Sequence, residues 1–402
     1  MNLSLKKRKE INVFTLLLLV ALFCVMGSRA YDIYALKIAS YASECLLIGY
    51  TVIYSGIKTV FINYKVLIVA FILMMNYLLS PWEPQYSDLL KFFGYLCCYE
   101  YGLYLARRYD YLDVNKIILF LFIFTPPVVV LLFDHTVVKN LFFSTPNSFV
   151  YLGVAMGLFY TLVNYRKKNV LWKAILIMAF YVLICTSLGV VVAGILSFMI
   201  LNLKRTHLPY LLLGGIVFFV AVAYINLPLF IRFRDVFHLW TSMTASDWAN
   251  LQDINFLELQ QGAESVGDRG DTTSSIWRIA HWSNIFIQYV SHIWAIPFGL
   301  GAGISINKLG GAPHNDYLLI LSEYGLVVFI MFITLIIKLF RYLKNEGILL
   351  FFILTMFLYH VTENLINIFP PNAILYFVVG WCMYKYRIQH NKCQINEGLV
   401  DK

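Results

Sequence analysis

VLWKAILIMAFYVLICTSLGVVVAGILSFMILNL runs from Val170 to Leu203 with a single charged side chain, Lys173. A helix needs about 20 apolar residues to cross a bilayer, so this run is too long for one crossing and long enough for two short ones. It shows no alternation of polar and apolar residues, which removes a barrel strand. Cutting it near Thr186 gives two spans, Val170 to Cys185 and Ser187 to Leu203. The flanking basic residues support the cut. Arg166, Lys167 and Lys168 precede the run and Lys204 and Arg205 follow it, and basic residues of short loops collect on the cytoplasmic side. Two crossings put both clusters on one face, whereas a single crossing would separate them.

Outward from this pair, further apolar runs lie at Ile11 to Ala30, Ile38 to Ile57, Val66 to Ser80, Leu89 to Ala106, Ile117 to Phe133, Ser148 to Tyr165 and Leu208 to Leu227. Three more follow at Tyr317 to Leu339, Ile348 to Leu365 and Ala373 to Tyr384. The chain has 402 residues, of which 60% are hydrophobic and 13% charged, with a mean hydropathy of +0.72. No water-soluble fold hides that much apolar surface. The expectation is an all-α polytopic membrane protein of about twelve transmembrane helices, with residues 1–227 an N-terminal bundle, 228–316 one large outer loop, and 317–402 the C-terminal helices and a tail.

With the N-terminus inside, basic clusters recur at every second loop: Lys6 to Lys9, Arg107 and Arg108, Arg166 to Lys168, Lys204 and Arg205, Lys338, Arg341 and Lys344, Lys385 and Arg387. Both termini are then cytoplasmic. The net charge of +9 reads as a topology signal, and no nucleic-acid partner is expected. The basic start and apolar core of the first run resemble a signal peptide, with Ser28-Arg29-Ala30 near a cleavage pattern, but eleven runs follow and an uncleaved anchor is expected. Cys24, Cys45, Cys97, Cys98, Cys185 and Cys382 fall within or at the ends of spans, as packing residues do.

The loop from Pro228 to Asp316 stands apart by its length, and long loops carry function. Its first half is acidic, with Asp247, Asp253, Glu258, Glu264, Asp268 and Asp271. Its second half, Ile276 to Ile296, is amphipathic and aromatic and suits the membrane interface. Gly299, Gly301 and Gly303 follow no strand, so a turn permitting close backbone packing is preferred over a nucleotide loop. Arg232, Arg234 and Arg278 break the positive-inside pattern. Arg278 could snorkel to headgroups, and His314 could be a neighbour of a helix cap. An anionic ligand on the outer face accounts for all three arginines, because the guanidinium fork matches phosphate oxygens and stays charged when desolvated. A neutral His314 nearby would accept a proton from an attacking hydroxyl.

Three motifs carry a resemblance. They are Ser275-Ile276-Trp277-Arg278 followed by Trp282, Pro297-Phe298-Gly299-Leu300-Gly301-Ala302-Gly303, and Pro313-His314-Asn315-Asp316-Tyr317 running into Leu321-Ser322-Glu323-Tyr324-Gly325-Leu326. Together they resemble the shared core of the O-antigen ligase and Wzy-type O-antigen polymerase superfamily, over roughly residues 274–330. The resemblance implies a GT-C-like glycosyltransferase of the bacterial inner membrane, without metal or other cofactor, acting at the periplasmic face. Its partners would be an undecaprenyl-diphosphate-linked glycan, an acceptor glycan on a second lipid carrier or on lipid A-core, the bilayer, and for a polymerase a chain-length regulator. It implies catalytic roles for Arg278, at the diphosphate, and His314, as base, with Arg232, Arg234, Asn315 and Tyr317 as substrate-binding residues.

The family tends to keep an Arg in a Ser-Arg-Gly-like motif on a mid-chain span. Here that place reads Cys185-Thr186-Ser187-Leu188-Gly189. The departure favours a polymerase over a ligase and leaves the second phosphate contact to Arg232 or Arg234. A transporter or flippase is the reading from another class, with Glu100 as a coupling carboxylate. The absence of corresponding halves weighs against it.

Overall fold

The computed structural model describes residues 2–31, 34–56, 64–80, 86–132, 146–165, 167–184, 188–202, 270–305, 309 and 313–400, with single positions at 220, 224 and 241. Among them the chain is helical and no strand occurs. The elements are α1 (Asn2–Tyr31), α2 (Tyr34–Ser55), α3 (Tyr64–Leu79), α4 (Tyr86–Arg108), α5 (Lys116–Leu132), α6 (Pro146–Asn164), α7 (Val170–Ile184) and α8 (Leu188–Asn202). After residue 269 come α9 (Gly270–Ser291), the single turn α10 (Ala295–Phe298), α11 (Asp316–Leu319), a π-helical turn (Ile320–Tyr324), α12 (Gly325–Leu343), α13 (Gly347–Tyr359) and α14 (Phe369–Val400).

Three of these segments are long and apolar enough to cross a membrane: Lys9–Met26, Tyr34–Ser55, and Asp316–Leu343. Shorter apolar helices lie at Lys116–Leu131, Val170–Ile184, Gly189–Asn202 and Gly347–Tyr359. The run Val170 to Leu203 forms two helices, α7 and α8, and the run Leu208 to Leu227 lies almost wholly outside the described residues. One boundary needs correction. The apolar run taken to Leu365 is helical only to Tyr359, and residues 360–368 form a turn-rich loop instead. His360, Glu363 and Asn364 interrupt the apolar pattern there, and the loop turns inward to pair His360 with Asp316 and Glu363 with Arg278 and His314.

Burial explains the arrangement. α13 is apolar on all sides, and Phe352, Ile353, Met356 and Tyr359 are completely buried, as a central helix requires. α7 and α8 instead leave Leu176, Leu183, Ile195 and Phe198 exposed, a surface suited to lipid. α4 and α14 approach most closely. A Cβ on Gly102 would stand 2.1 Å from the Phe377 carbonyl oxygen, and one on Gly380 would stand 2.0 Å from that of Tyr99. Paired glycines allow such backbone contact between membrane helices.

The π-turn organises the glycine-rich stretch. Its wider spacing leaves the Ser322 and Glu323 carbonyls to accept from Leu300 N (2.7 Å) and Gly301 N (3.2 Å). Asn76 of α3 donates to the carbonyls of Phe298 (2.6 Å) and Glu323 (2.7 Å), and Ser80 donates to that of Leu300 (2.8 Å). The Glu323 carboxylate is buried and accepts from Gly303 N at 2.8 Å, Ser305 N at 3.1 Å and the Ser305 hydroxyl at 2.6 Å. The glycine-rich stretch is therefore a backbone clasp closed around Glu323.

Candidate functional site

The site forms where α9, the turn before α11 and the loop of residues 360–368 meet. On α9, Arg278 shares a stripe with His281, Ile285 and Tyr289, the last three buried, while Phe286, Ile287 and Val290 are exposed. This spacing turns Arg278 toward the protein and leaves exposed apolar side chains away from it. The guanidinium does not snorkel outward. Nη1 donates to the Thr362 carbonyl at 3.2 Å and Nη2 to Glu363 Oε1 at 3.3 Å.

The second oxygen of Glu363 faces His314. Nδ1 of the imidazole lies 3.3 Å from Oε2, so one buried carboxylate serves both residues singled out from the sequence. The His314 side chain is 31% exposed, that of Arg278 27% and that of Glu363 7%. The carboxylate is thus fixed beneath two accessible groups. A carboxylate only accepts, so the neutral tautomer that directs Nδ1–H to Glu363 would leave the lone pair on Nε2, the orienting logic of an acid–base pair.

The backbone around His314 is held at every step. His314 adopts φ 50, an uncommon left-handed conformation for a residue with a side chain. Before it, the Pro313 carbonyl accepts from the indole N–H of Trp282, one turn beyond Arg278 on α9. After it, Asn315 caps α11, its Oδ1 accepting from Tyr317 N (3.0 Å) and Leu318 N (3.1 Å). Tyr317 donates its hydroxyl to the Phe357 carbonyl at 2.9 Å. Asn315 and Tyr317, two of the four residues assigned to substrate, therefore have structural partners within the chain.

Asp316 is fully buried and anchors the opposing loop. Its backbone N–H donates to the His360 carbonyl at 2.8 Å, and its Oδ2 accepts from Leu365 N at 2.8 Å, Ile366 N at 2.9 Å and the His360 ring. Asn372 Nδ2 donates to the Leu365 (2.6 Å) and Ile368 (2.9 Å) carbonyls, which turns its Oδ1 to the Tyr151 hydroxyl at 2.8 Å. That hydroxyl lies 2.8 Å from His360 Nε2, and Tyr95 of α4 donates to the Ile366 carbonyl at 2.6 Å. Asp316 Oδ1 has no partner among the described residues, but a buried network with this many mutual contacts rigidifies what it holds. This one fixes the loop that presents Glu363.

Helix starts gather around the same loop. Asn147, in the first turn of α6, receives the Tyr359 hydroxyl at 3.4 Å, and Gly189, in the first turn of α8, lies against Tyr359 and Thr362. α11 and α14 begin on either side of it. Helix N-termini carry partial positive charge, so with Arg278 they bias this region toward anions. Arg232, Arg234 and Asp268 lie outside the described residues, and nothing is described of the Asp271 side chain. Among the described residues, no three His, Cys, Asp or Glu side chains group as metal ligands do.

Glu363, His360 and Asp316 are the site residues that sequence reasoning missed. The first two sat inside an apolar run taken as one span. Their signal was present, since a carboxylate within such a run is costly and marks function by default.

The clasp below the site gives a stability prediction. Gly299 has φ +83, and a Cβ there would stand 2.2 Å from the Glu323 carbonyl oxygen. Gly299→Ala is expected to lower the melting temperature of the detergent-solubilised protein, at a cost above about 1 kcal/mol. Gly347→Ala, where nothing lies within 4 Å of the added carbon, should leave it near the wild-type value.

The chain matches no protein-family model and no characterised protein at a significant level.

Proposed function

We propose that this chain is a polytopic glycosyltransferase of the bacterial inner membrane that polymerises undecaprenyl-diphosphate-linked oligosaccharide repeat units of O-antigen or capsule. In this reading about twelve helices cross the bilayer, both termini are cytoplasmic, and the site opens to the periplasm. The observation that carries it is the convergence of Arg278 and His314 on Glu363. An acid-oriented imidazole beside a guanidinium, ringed by helix N-termini, suits a reaction that deprotonates a hydroxyl while an anionic group departs.

The step balances within these groups. The acceptor hydroxyl oxygen attacks the anomeric carbon of the donor sugar, and its proton passes to Nε2 of His314. The bond from that carbon to the diphosphate breaks, and the diphosphate leaves with the bonding electrons, its charge met by Arg278. Glu363 keeps the imidazole oriented and balances the imidazolium that forms. No metal or cofactor enters the reading.

Transfer to lipid A-core, the ligase reaction, is the second reading, and it rests on the same resemblance and site. Cells lacking the gene separate the two. Deletion of a polymerase leaves surface glycan of at most one repeat unit, whereas deletion of a ligase leaves long chains on the lipid carrier. Single-unit products are expected here. Stranded polymer would overturn the choice of acceptor.

A further inference from the structure

Buried side-chain nitrogen and oxygen atoms without a hydrogen-bond partner are few among the described residues. Four of them belong to the loop of residues 360–368 and to the arginine bonded to it: both amide atoms of Asn364, Oδ1 of Asn367, and Nε of Arg278. The asparagines belong to the loop of residues 360–368, and Arg278 is hydrogen-bonded to that loop at Thr362 and Glu363. Both asparagines are only partly buried as residues. A partly exposed loop asparagine ordinarily turns its amide to water, because leaving a polar group buried and unpaired is costly. Asn364 buries both of its amide atoms and Asn367 buries its Oδ1. Such a departure beside a reactive pair calls for a partner.

The chemistry of the amide narrows that partner. A carboxamide presents one acceptor and one two-proton donor, which matches neighbouring hydroxyls of a sugar, each both donor and acceptor. It carries no charge to attract a phosphate, and Arg278 already supplies that. The loop therefore offers two chemistries side by side, a guanidinium for an anion and carboxamides for a polyol. We infer that Asn364 and Asn367 bind hydroxyl or acetamido groups of the glycan next to the diphosphate, and so form a sugar-recognition subsite. The assignment rests on the glycosyltransferase reading above and adds to it which residues select the sugar.

An amide atom with no partner holds nothing in the folded chain together, so an apolar replacement should not weaken the fold. Asn364→Leu and Asn367→Leu are therefore compared with wild type in detergent by thermal melting, alone and with two probes. One probe is undecaprenyl diphosphate. The other is the carrier-linked repeat unit purified from cells lacking this gene. The expected result is a melting temperature at or above wild type without ligand, full stabilisation by the bare diphosphate, and loss of the extra stabilisation given by the glycan. In transfer assays KM should rise about ten- to a hundredfold, the range set by leaving a substrate hydroxyl unpaired, with kcat changed much less.

Retention of the glycan increment in both variants overturns the subsite and leaves the reaction class standing. Destabilised or misfolded Leu variants, with Asn364→Ala behaving alike, also overturn it, because the amides would then be structural. If neither probe stabilises the wild-type protein, the glycosyltransferase reading fails and the subsite falls with it.

Discussion

Arg278→Ala should lower glycan transfer by about a hundredfold or more, the scale on which losing one preorganised charge-stabilising group slows a reaction. The substitution also leaves Glu363 buried with only His314 beside it. Part of the effect could then come from a disturbed imidazole, and Arg278→Lys resolves the two contributions. Lysine keeps the positive charge near Glu363 but presents a point charge in place of a planar fork. The guanidinium now spans the Thr362 carbonyl and Glu363 with two different nitrogens, a pair of contacts that one ammonium cannot reproduce in the same geometry. Arg278→Lys is expected to remain well below a tenth of wild-type transfer, measured as initial rate in membranes at matched protein level. Full activity of the Lys variant would reduce Arg278 to a helix anchor and remove the anion site from the mechanism.

The sequence made the helices legible because apolar runs of spanning length leave the chain little choice. Val170 to Leu203 shows this: the basic residues on both flanks required a break near Thr186, and α7 ends at Ile184 while α8 starts at Leu188. The same rule hid the loop of residues 360–368. Averaged over a window, Ile348 to Leu365 reads as one span, since Leu365 and Ile366 mask Glu363 and Asn364. The loop exists because Asp316, nearly 50 residues upstream, accepts from the backbone N–H groups of Leu365 and Ile366, and no local pattern announces a contact at that separation. The glycine motif was legible as a tight turn, but its object, the buried Glu323 on a π-turn, was not. Arg278 and His314 stood out by their chemistry and by falling in or at the end of the long segment between apolar runs. Glu363, the group that joins them, was lost to an apolar average.

His314→Ala is the second change with a large expected effect, a loss of about 10² to 10⁴ in transfer, the range of general-base assistance. A sugar hydroxyl is a weak nucleophile near neutral pH, and displacement at the anomeric carbon is eased when a base takes its proton as the bond forms. In the proposed reaction His314 is the group for this. Glu363 takes its Nδ1 side, Trp282 holds the Pro313 carbonyl before it, and Asn315 and Asp316 fix the chain after it. Such a clamp sustains a left-handed φ that an unsupported histidine would relax. Glu363→Gln provides the companion measurement. The amide can offer Nδ1 a donor as readily as an acceptor, which favours the other tautomer and should cost transfer steeply with little loss of protein. Asn315→Ala removes a helix cap and should cost about 1 kcal/mol of stability before it costs chemistry. Protein levels and stabilisation by undecaprenyl diphosphate should stay near wild type in His314→Ala. Transfer above about a tenth of wild type, well short of the general-base range, would show that the proton goes elsewhere. His281, buried one turn along α9, and the acidic residues of the outer loop, Asp268 and Asp271, would then be the groups to replace next.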